Sequence, residues 1–151
     1  LDAAMEVVNT SAGELLTVKA LVQNVRAGHH FPTTATPRAV LKVVQATEDA
    51  ELPETTALWA IGRSVKHTQS GWVEIADTRI PARDTLTRRY RWRRHPEARA
   101  VVAELWMYPD WLYVSAFETI QRTRPNAEVA EALQKARRSG FRVKRVWRPL
   151  P

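Results

Sequence analysis

The sequence predicts a mostly β protein, an immunoglobulin-like antiparallel β-sandwich with one C-terminal helix. Three observations carry this prediction: several short segments alternate apolar and polar residues, turn-forming residues separate them, and one helical pattern appears near the end. With 151 residues and 44% hydrophobic content, the chain can bury a proper core. We therefore expect one sandwich domain over residues 1–151, with residues 1–12 as a lead-in segment.

Six segments carry the strand pattern. Residues 14–26 alternate at period two and place four apolar side chains on one face, namely Leu16, Val18, Ala20 and Val22. Residues 84–94 alternate in the same way, with Tyr90 and Trp92 on the inward face. Residues 98–108 are apolar at most positions, which indicates a strand buried on both faces. The remaining strands are expected within residues 38–49, 72–76 and 141–150.

One helix is predicted within residues 125–140. Asn126 provides an N-cap, Gly140 ends the pattern, and acidic residues come early while basic residues come late. Its apolar stripe consists of Val129, Leu133 and Ala136. The aromatic-rich residues 106–117 are expected to lie mostly in the core, with Trp111 partly exposed.

Composition bounds the function. The formal charge is +7, from 23 Lys and Arg against 16 Asp and Glu, which favours acidic partners but also fits a general compositional bias. No apolar run reaches the roughly 18 residues of a membrane helix, so no membrane span is expected. The chain has no cysteine, which excludes disulfides, Cys-ligated zinc and covalent c-type haem attachment within these residues. Because it starts without Met or a signal-peptide pattern, we expect a piece of a longer protein.

Three blocks resemble a known family. The stretch "NVRAGHHFPTTATPRAVLKVV" resembles the signature "N-x-G-A-G-H-x-x-P-T-G-x-P-x-R" of the non-haem β-sandwich domain of multihaem c-type cytochromes. The stretches "IGRSV" and "GWVEIADTRIPARDTLTRRYRW" are similar to that family's "D-T-R-I/L-x-P" region, and "AVVAELWMY" to its third block. The blocks occur in the family's order. Thr34 replaces the family's glycine, and Tyr108-Pro109 replaces its Tyr-Arg.

This resemblance implies a non-catalytic accessory domain in an electron-transfer system. The domain would cap or pack on a haem-bearing cytochrome segment or a partner cytochrome subunit, and haem c would be bound by that adjacent segment or partner chain. It also implies a periplasmic or extracellular location. Nucleic acid is not an expected partner in this interpretation.

The two adjacent histidines are the candidate cofactor-binding residues. His29 matches the family's histidine, and the resemblance makes it the preferred candidate for an axial ligand of haem iron or for a haem contact, with His30 beside it. Alternatively, the His29 ring donates a hydrogen bond to a nearby carbonyl and fixes a corner between strands, while Pro32 sets the chain direction. Another metal is also open, although His67 and His95 have no ligand-like spacing to the pair.

Two further groups of residues are singled out. Asp77 and Arg79 are expected to organise a turn, and Asp77 could also form a buried ion pair with Arg38 that joins the first two blocks. The basic strand carries four candidate docking residues for haem propionates or an acidic redox partner: Arg88, Arg89, Arg91 and Arg93. Alternatively these arginines are merely solvated, or the chain is a free-standing basic sandwich that binds an anionic polymer such as nucleic acid or polysaccharide.

Overall fold

The protein is an antiparallel β-sandwich with two helices. A computed structural model describes residues 3–151, with side-chain surroundings from residue 12 onward. The strands are β1 (Ala3–Ala12), β2 (Leu15–Asn24), β3 (Arg38–Ala46), β4 (Ala57–Ile61), β5 (Arg63–Thr68), β6 (Gly71–Asp77), β7 (Thr85–Arg93), β8 (Ala100–Tyr108) and β9 (Phe141–Pro149). The helices are α1 (Trp111–Thr123) and α2 (Ala127–Arg137), and one turn of 3₁₀ helix covers Pro53–Thr55.

Two sheets form the sandwich. One has the strand order β1-β2-β7 and the other β4-β3-β8-β9, with every neighbouring pair antiparallel. The chain passes from the first sheet to the second between β2 and β3, returns to the first between β4 and β7, and crosses again between β7 and β8, which is consistent with the predicted sandwich. A separate two-stranded sheet, β5-β6, lies between β4 and β7 in the chain.

The core lies between the two sheets and confirms the strand patterns. The predicted face of β2 is fully buried, and it packs on buried residues of β3 and β8. Strand β8 is buried on both faces as predicted, because its outward residues Ala100 and Val102 form a second cluster with Val44 and Ala46. Tyr90 and Trp92 turn inward and pack partly buried against the main core.

The structure corrects the predicted lead-in. Apart from residues 1 and 2, which lie outside the described residues, this segment contains strand β1, paired with β2 along its whole length. The two strands form a hairpin because Gly13 adopts a positive φ of 62°, a conformation that favours glycine. Strands β4 and β5 were also not predicted, since residues 57–68 alternate only weakly and several of their apolar side chains stay exposed.

The predicted C-terminal helix is present as α2, and a second helix, α1, precedes it. Helix α2 is confirmed, and the Asn126 side chain caps it by accepting hydrogen bonds from the backbone N–H groups of Glu128 (2.7 Å) and Val129 (3.4 Å). Helix α1 was not predicted, because residues 111–123 are rich in aromatic and β-branched residues that also suit strands. Residues 106–117, expected in the core, instead end β8 and begin α1, in which no residue is buried.

Among residues 3–151, no helix has both the length and the apolar character that crossing a membrane requires.

Candidate functional site

The two histidines lie in the loop of residues 25–37, between β2 and β3, at one end of the sandwich. This loop is joined to the segment after β6 by a pair of backbone hydrogen bonds between Phe31 and Ile80, both 2.8 Å long. The Phe31 and Pro32 side chains are buried, and the peptide bond between them is cis. Pro32 therefore lies inside the corner where the prediction placed it.

Asn24 is the residue that organises this corner. Its side chain is 2% exposed, and its amide nitrogen donates hydrogen bonds to the backbone carbonyls of His29 (2.8 Å), Ile80 (3.1 Å) and Pro81 (3.1 Å). A buried amide with these partners fixes two loops against the end of β2. Sequence reasoning missed this role, although a polar residue at a buried position of an alternating strand was a usable signal.

His29 is exposed, and its ring is oriented by its neighbour. The Nδ1 atom lies 2.9 Å from the backbone carbonyl oxygen of His30. Because a carbonyl oxygen can only accept, this hydrogen bond requires the proton on Nδ1, and in the neutral ring Nε2 then carries the lone pair. This contact is the one that the corner-fixing alternative predicts. In metal sites, a histidine that donates such a hydrogen bond from one ring nitrogen binds the metal through the other nitrogen.

A largely apolar cavity of about 490 Å³ adjoins His29. Its apolar walls come from three parts of the chain that are distant in sequence: the loop itself, the end of β8 and the start of β9. They are formed mainly by Phe31, Pro32, Pro37, Met107, Pro109 and Phe141. This volume falls within the range of about 300–1,000 Å³ that is usual for cofactor and small-molecule sites. An imidazole at the edge of an apolar cavity suits a flat, apolar ring system that carries a metal.

Asp77 and Arg79 form a bidentate pair beside the corner. Arg79 donates to both carboxylate oxygens, from Nε at 2.9 Å and from a terminal nitrogen at 2.6 Å, and the Asp77 carboxylate also accepts the Arg79 backbone N–H. This hydrogen-bonded guanidinium lowers the pKa of Asp77 to about 2, with a smaller contribution from His30. Arg79 also donates to the carbonyl of Thr33 (2.9 Å), so the pair connects this turn with the histidine loop.

The suggested ion pair between Asp77 and Arg38 does not form. Arg38 donates instead to the Ser64 hydroxyl (2.7 Å) and lies over the ring of Trp111, 4.9 Å from its centroid. Asp77 is already saturated by its local partner, two residues away, which needs no long-range ordering of two side chains. Arg38 thus joins β3 to the start of β5 and of α1 at the same end of the sandwich.

The loop tolerates the departure from the family's glycine. Among the described residues other than glycine, Arg83 alone has a positive φ, of 64°. Thr34 therefore does not occupy a left-handed conformation, and its hydroxyl lies 3.4 Å from the backbone N–H of Thr36. The turn is reshaped rather than strained.

The β5-β6 hairpin extends from this corner and exposes apolar side chains. The Thr78 N–H, just after β6, bonds to the carbonyl of Gly62 before β5 (2.9 Å), which closes the base of the hairpin. Further along, Trp72 is 63% exposed and Ile75 is 64% exposed. Large apolar side chains that stay in water on a two-stranded ribbon indicate a contact surface for another molecule.

The four candidate docking arginines do not share one surface. Arg88 faces inward, where its guanidinium stacks on Trp59 at 3.7 Å from the ring centroid, unlike the solvated residue that the charge pattern indicated. Arg89, Arg91 and Arg93 face outward on the same strand, and Arg93 pairs with Glu14 at 2.7 Å. The inward arginine occupies a strand position between apolar residues because its guanidinium finds an aromatic face.

A separate charged cluster lies on the outer face of the four-stranded sheet. The Glu104 side chain is 5% exposed and accepts from Trp106 Nε1 and Arg142, both at 2.9 Å, with Lys42 and Arg145 at 3.5 Å. Burial by itself raises the pKa of Glu104, but the hydrogen bonds from Trp106 and Arg142 outweigh it, so the pKa is lowered. Through these contacts Glu104 connects β8 with Lys42 of β3 and with Arg142 and Arg145 of β9.

Among the side chains described, from residue 12 onward, no group of three or more His, Cys, Asp or Glu is gathered closely enough to hold a metal ion. His29 and His30 lie together, while His67 packs edge-on against Trp72 and His95 lies 3.4 Å from Glu54. The predicted histidine pair therefore stands apart from the other two histidines.

Comparison with known proteins gives one structural likeness to report. No family model matches the chain, and no curated protein matches it. Among solved structures, the chain is similar to a penta-heme cytochrome c552 from Thermochromatium tepidum, with 15% sequence identity and a TM-score of 0.67. The match covers 97% of this chain and 39% of the cytochrome chain. Nearly the whole chain thus has the fold of one part of a penta-heme cytochrome c552.

Proposed function

We propose that this chain is a non-catalytic accessory domain of a multihaem c-type cytochrome system. Its histidine corner packs against a haem-bearing segment or a partner cytochrome subunit, and His29 contacts the haem or ligates its iron. The observation that carries the proposal is the oriented His29 ring at the edge of the apolar cavity. The likeness of fold and the resemblance of the loop to the family signature support it.

The residues at the corner fit a haem held by another polypeptide. A porphyrin edge is flat and apolar, and the cavity offers aromatic, proline and methionine side chains to it. The neutral His29 ring has a lone pair on Nε2, which is the form of imidazole that binds haem iron. Since the chain contains no cysteine, its residues provide no thioether attachment, and the haem must be held elsewhere. Bound haem would supply the electron transfer, and this chain would supply the cap.

The exposed β5-β6 hairpin extends the proposed contact surface. Its base is closed at Gly62 and Thr78, beside the Asp77–Arg79 pair that is tied to the histidine loop. Trp72 lies five residues along β6 from Asp77, about 17 Å, so a haem-bearing partner that extends that far from the corner would also cover Trp72 and its apolar neighbours. The proposal places the domain in the periplasm or outside the cell, since c-type haem is attached outside the cytoplasm.

The test uses a soluble haem c peptide that carries a single proximal histidine. On titration with this chain, we expect the Soret band to move to its low-spin position as a second histidine binds. His29→Ala should abolish the spectral change, and His30→Ala is the matched control that should retain it. Binding without any spectral change, unaffected by His29→Ala, would remove the ligand role but keep the packing role. Absence of binding by the unaltered chain would refute both.

A second experiment tests the hairpin. Trp72→Ser removes a mostly exposed ring whose aromatic contact is with His67, so the free energy of unfolding should change by no more than about 1.5 kcal/mol. Association with a multihaem cytochrome, measured by calorimetry, should weaken by at least about tenfold if the hairpin is covered in the complex. An unchanged affinity would exclude the hairpin from the contact surface.

A further inference from the structure

A cluster of three cations lies on the outer face of the β1-β2-β7 sheet. Lys19 on β2 is paired in register with Arg89 on β7, and Arg91 follows two residues later on the same face. Directly opposite residues of antiparallel strands have Cβ atoms about 4.5–5.5 Å apart. Lys19, Arg89 and Arg91 therefore form one continuous surface, which we call the cationic patch.

No carboxylate of a described side chain compensates the charges of the cationic patch. Among the side chains that the structure describes, from residue 12 onward, no carboxylate lies within ion-pair distance of these three cations. Arg93, on the same strand, does have such a partner in Glu14. Like charges directly opposite each other destabilise a sheet. A bound anionic group would relieve this repulsion.

The surroundings of the cationic patch favour a protein partner. The aromatic residues of β7, Tyr90 and Trp92, face inward and stack on each other with centroids 5.3 Å apart, so they offer no platform for stacking bases. On the outer face of β2, Lys19 lies between Thr17 and the half-buried Leu21. Strand β1 places Glu6, Val8 and Thr10 in register with Leu21, Lys19 and Thr17. A face that mixes cations with apolar side chains suits a protein surface, which offers carboxylates beside apolar groups.

We propose that the cationic patch is a docking surface for a carboxylate-rich face of another protein. Each arginine can bind a carboxylate through two parallel hydrogen bonds. Arg89 and Arg91 lie four and six residues along β7 from Thr85, the end of the strand at the histidine corner, which corresponds to roughly 14 Å and 20 Å. The patch is thus separate from the proposed haem contact, and one domain could contact a cytochrome and an acidic partner together.

The test compares two triple charge reversals of equal net charge. The patch variant is Lys19→Glu, Arg89→Glu and Arg91→Glu, and the control reverses three exposed cations on α1, α2 and β9: Arg122, Lys135 and Lys144. The probes are an oligoglutamate peptide and a single-stranded DNA of the same charge. At low salt, we expect the patch variant to bind oligoglutamate at least about tenfold more weakly, and the control variant within about threefold of the unaltered chain.

Three results would overturn the proposal. Equal weakening in both variants would show that net charge alone governs binding, and absence of oligoglutamate binding by the unaltered chain would show that no such site exists. DNA binding more than about tenfold tighter than oligoglutamate binding, with the same dependence on the patch, would identify a polymer site instead. The neutral variant Arg89→Gln with Arg91→Gln repeats the test if the reversal fails to fold. The haem-peptide titration should be unchanged in these variants, so failure here and failure at the corner are distinguishable.

Discussion

Replacing Asn24 with alanine should destabilise the corner far more than a substitution at its exposed neighbour. The Asn24 amide has two N–H groups for three carbonyls, so about two full hydrogen bonds are lost, each with a net contribution of roughly 1 kcal/mol. The Ile80 and Pro81 carbonyls keep backbone donors, from Phe31 and Asp84. The third carbonyl that Asn24 contacts is therefore the one that loses its hydrogen-bond donor.

That third carbonyl belongs to His29, and no other residue in the described part of the chain donates to it. The two lost hydrogen bonds together contribute roughly 2 kcal/mol, and His29 is exposed, so water can reach its freed carbonyl. Asn24→Ala should therefore lower the free energy of unfolding by about 2 kcal/mol. Urea denaturation followed by tryptophan fluorescence measures this loss. Gln23→Ala, on the exposed face of the same strand, is the control and should stay within about 0.5 kcal/mol. A loss at Asn24 no larger than the control would refute the view that this amide holds the two loops together.

Two further predictions concern the Asp77–Arg79 pair and the packing of Gly140, which lies between α2 and β9. Arg79 lowers the pKa of Asp77 to about 2 from an ordinary value near 4, so the pair stabilises the fold above about pH 4, and this stabilisation is lost as the pH falls toward 2. Asp77→Asn should therefore flatten the pH profile of the urea midpoint between about pH 4 and pH 2. An unchanged profile would contradict the assignment. A Cβ on Gly140 would lie 2.7 Å from the Tyr108 ring, so Gly140→Ala should lower the free energy of unfolding by roughly 1–3 kcal/mol, measured by thermal denaturation. Gly28→Ala is the control and should be near neutral, because a Cβ on Gly28 has no atom within 4 Å. Equal effects of the two substitutions would show that the Tyr108 ring moves freely.

The resemblance of three sequence blocks to a cytochrome-associated domain and the fold of the structure agree at the level of architecture. The likeness to the penta-heme cytochrome c552 covers nearly all of this chain but only 39% of that one. The binding experiments test for a haem-bearing partner and for an acidic partner separately. Those experiments separate the histidine corner from the cationic patch because each has its own probe and its own control.

The sequence by itself determined the sandwich, most of its strands and the helix capped by Asn126. These features follow from local rules: period-two alternation on β2, near-continuous apolar residues on β8, and a capping side chain that bonds within three residues. The same local logic anticipated that Asp77 organises the turn with Arg79, because both partners lie two residues apart.

Only the tertiary structure decided which distant groups meet. The partner of Arg38 is Ser64 rather than Asp77, and the partner of Arg88 is the ring of Trp59, about thirty residues earlier on another sheet. Period two places Arg88 on the inward face of β7 with Tyr90 and Trp92. Neither partner can be read from period or spacing, since each depends on which side chains the folded sheets bring within a few ångströms. The same holds for the His29 cavity, whose walls come from chain segments more than seventy residues apart. Local sequence patterns determine elements, whereas the site depends on burial and long-range contacts that exist only once those elements have packed.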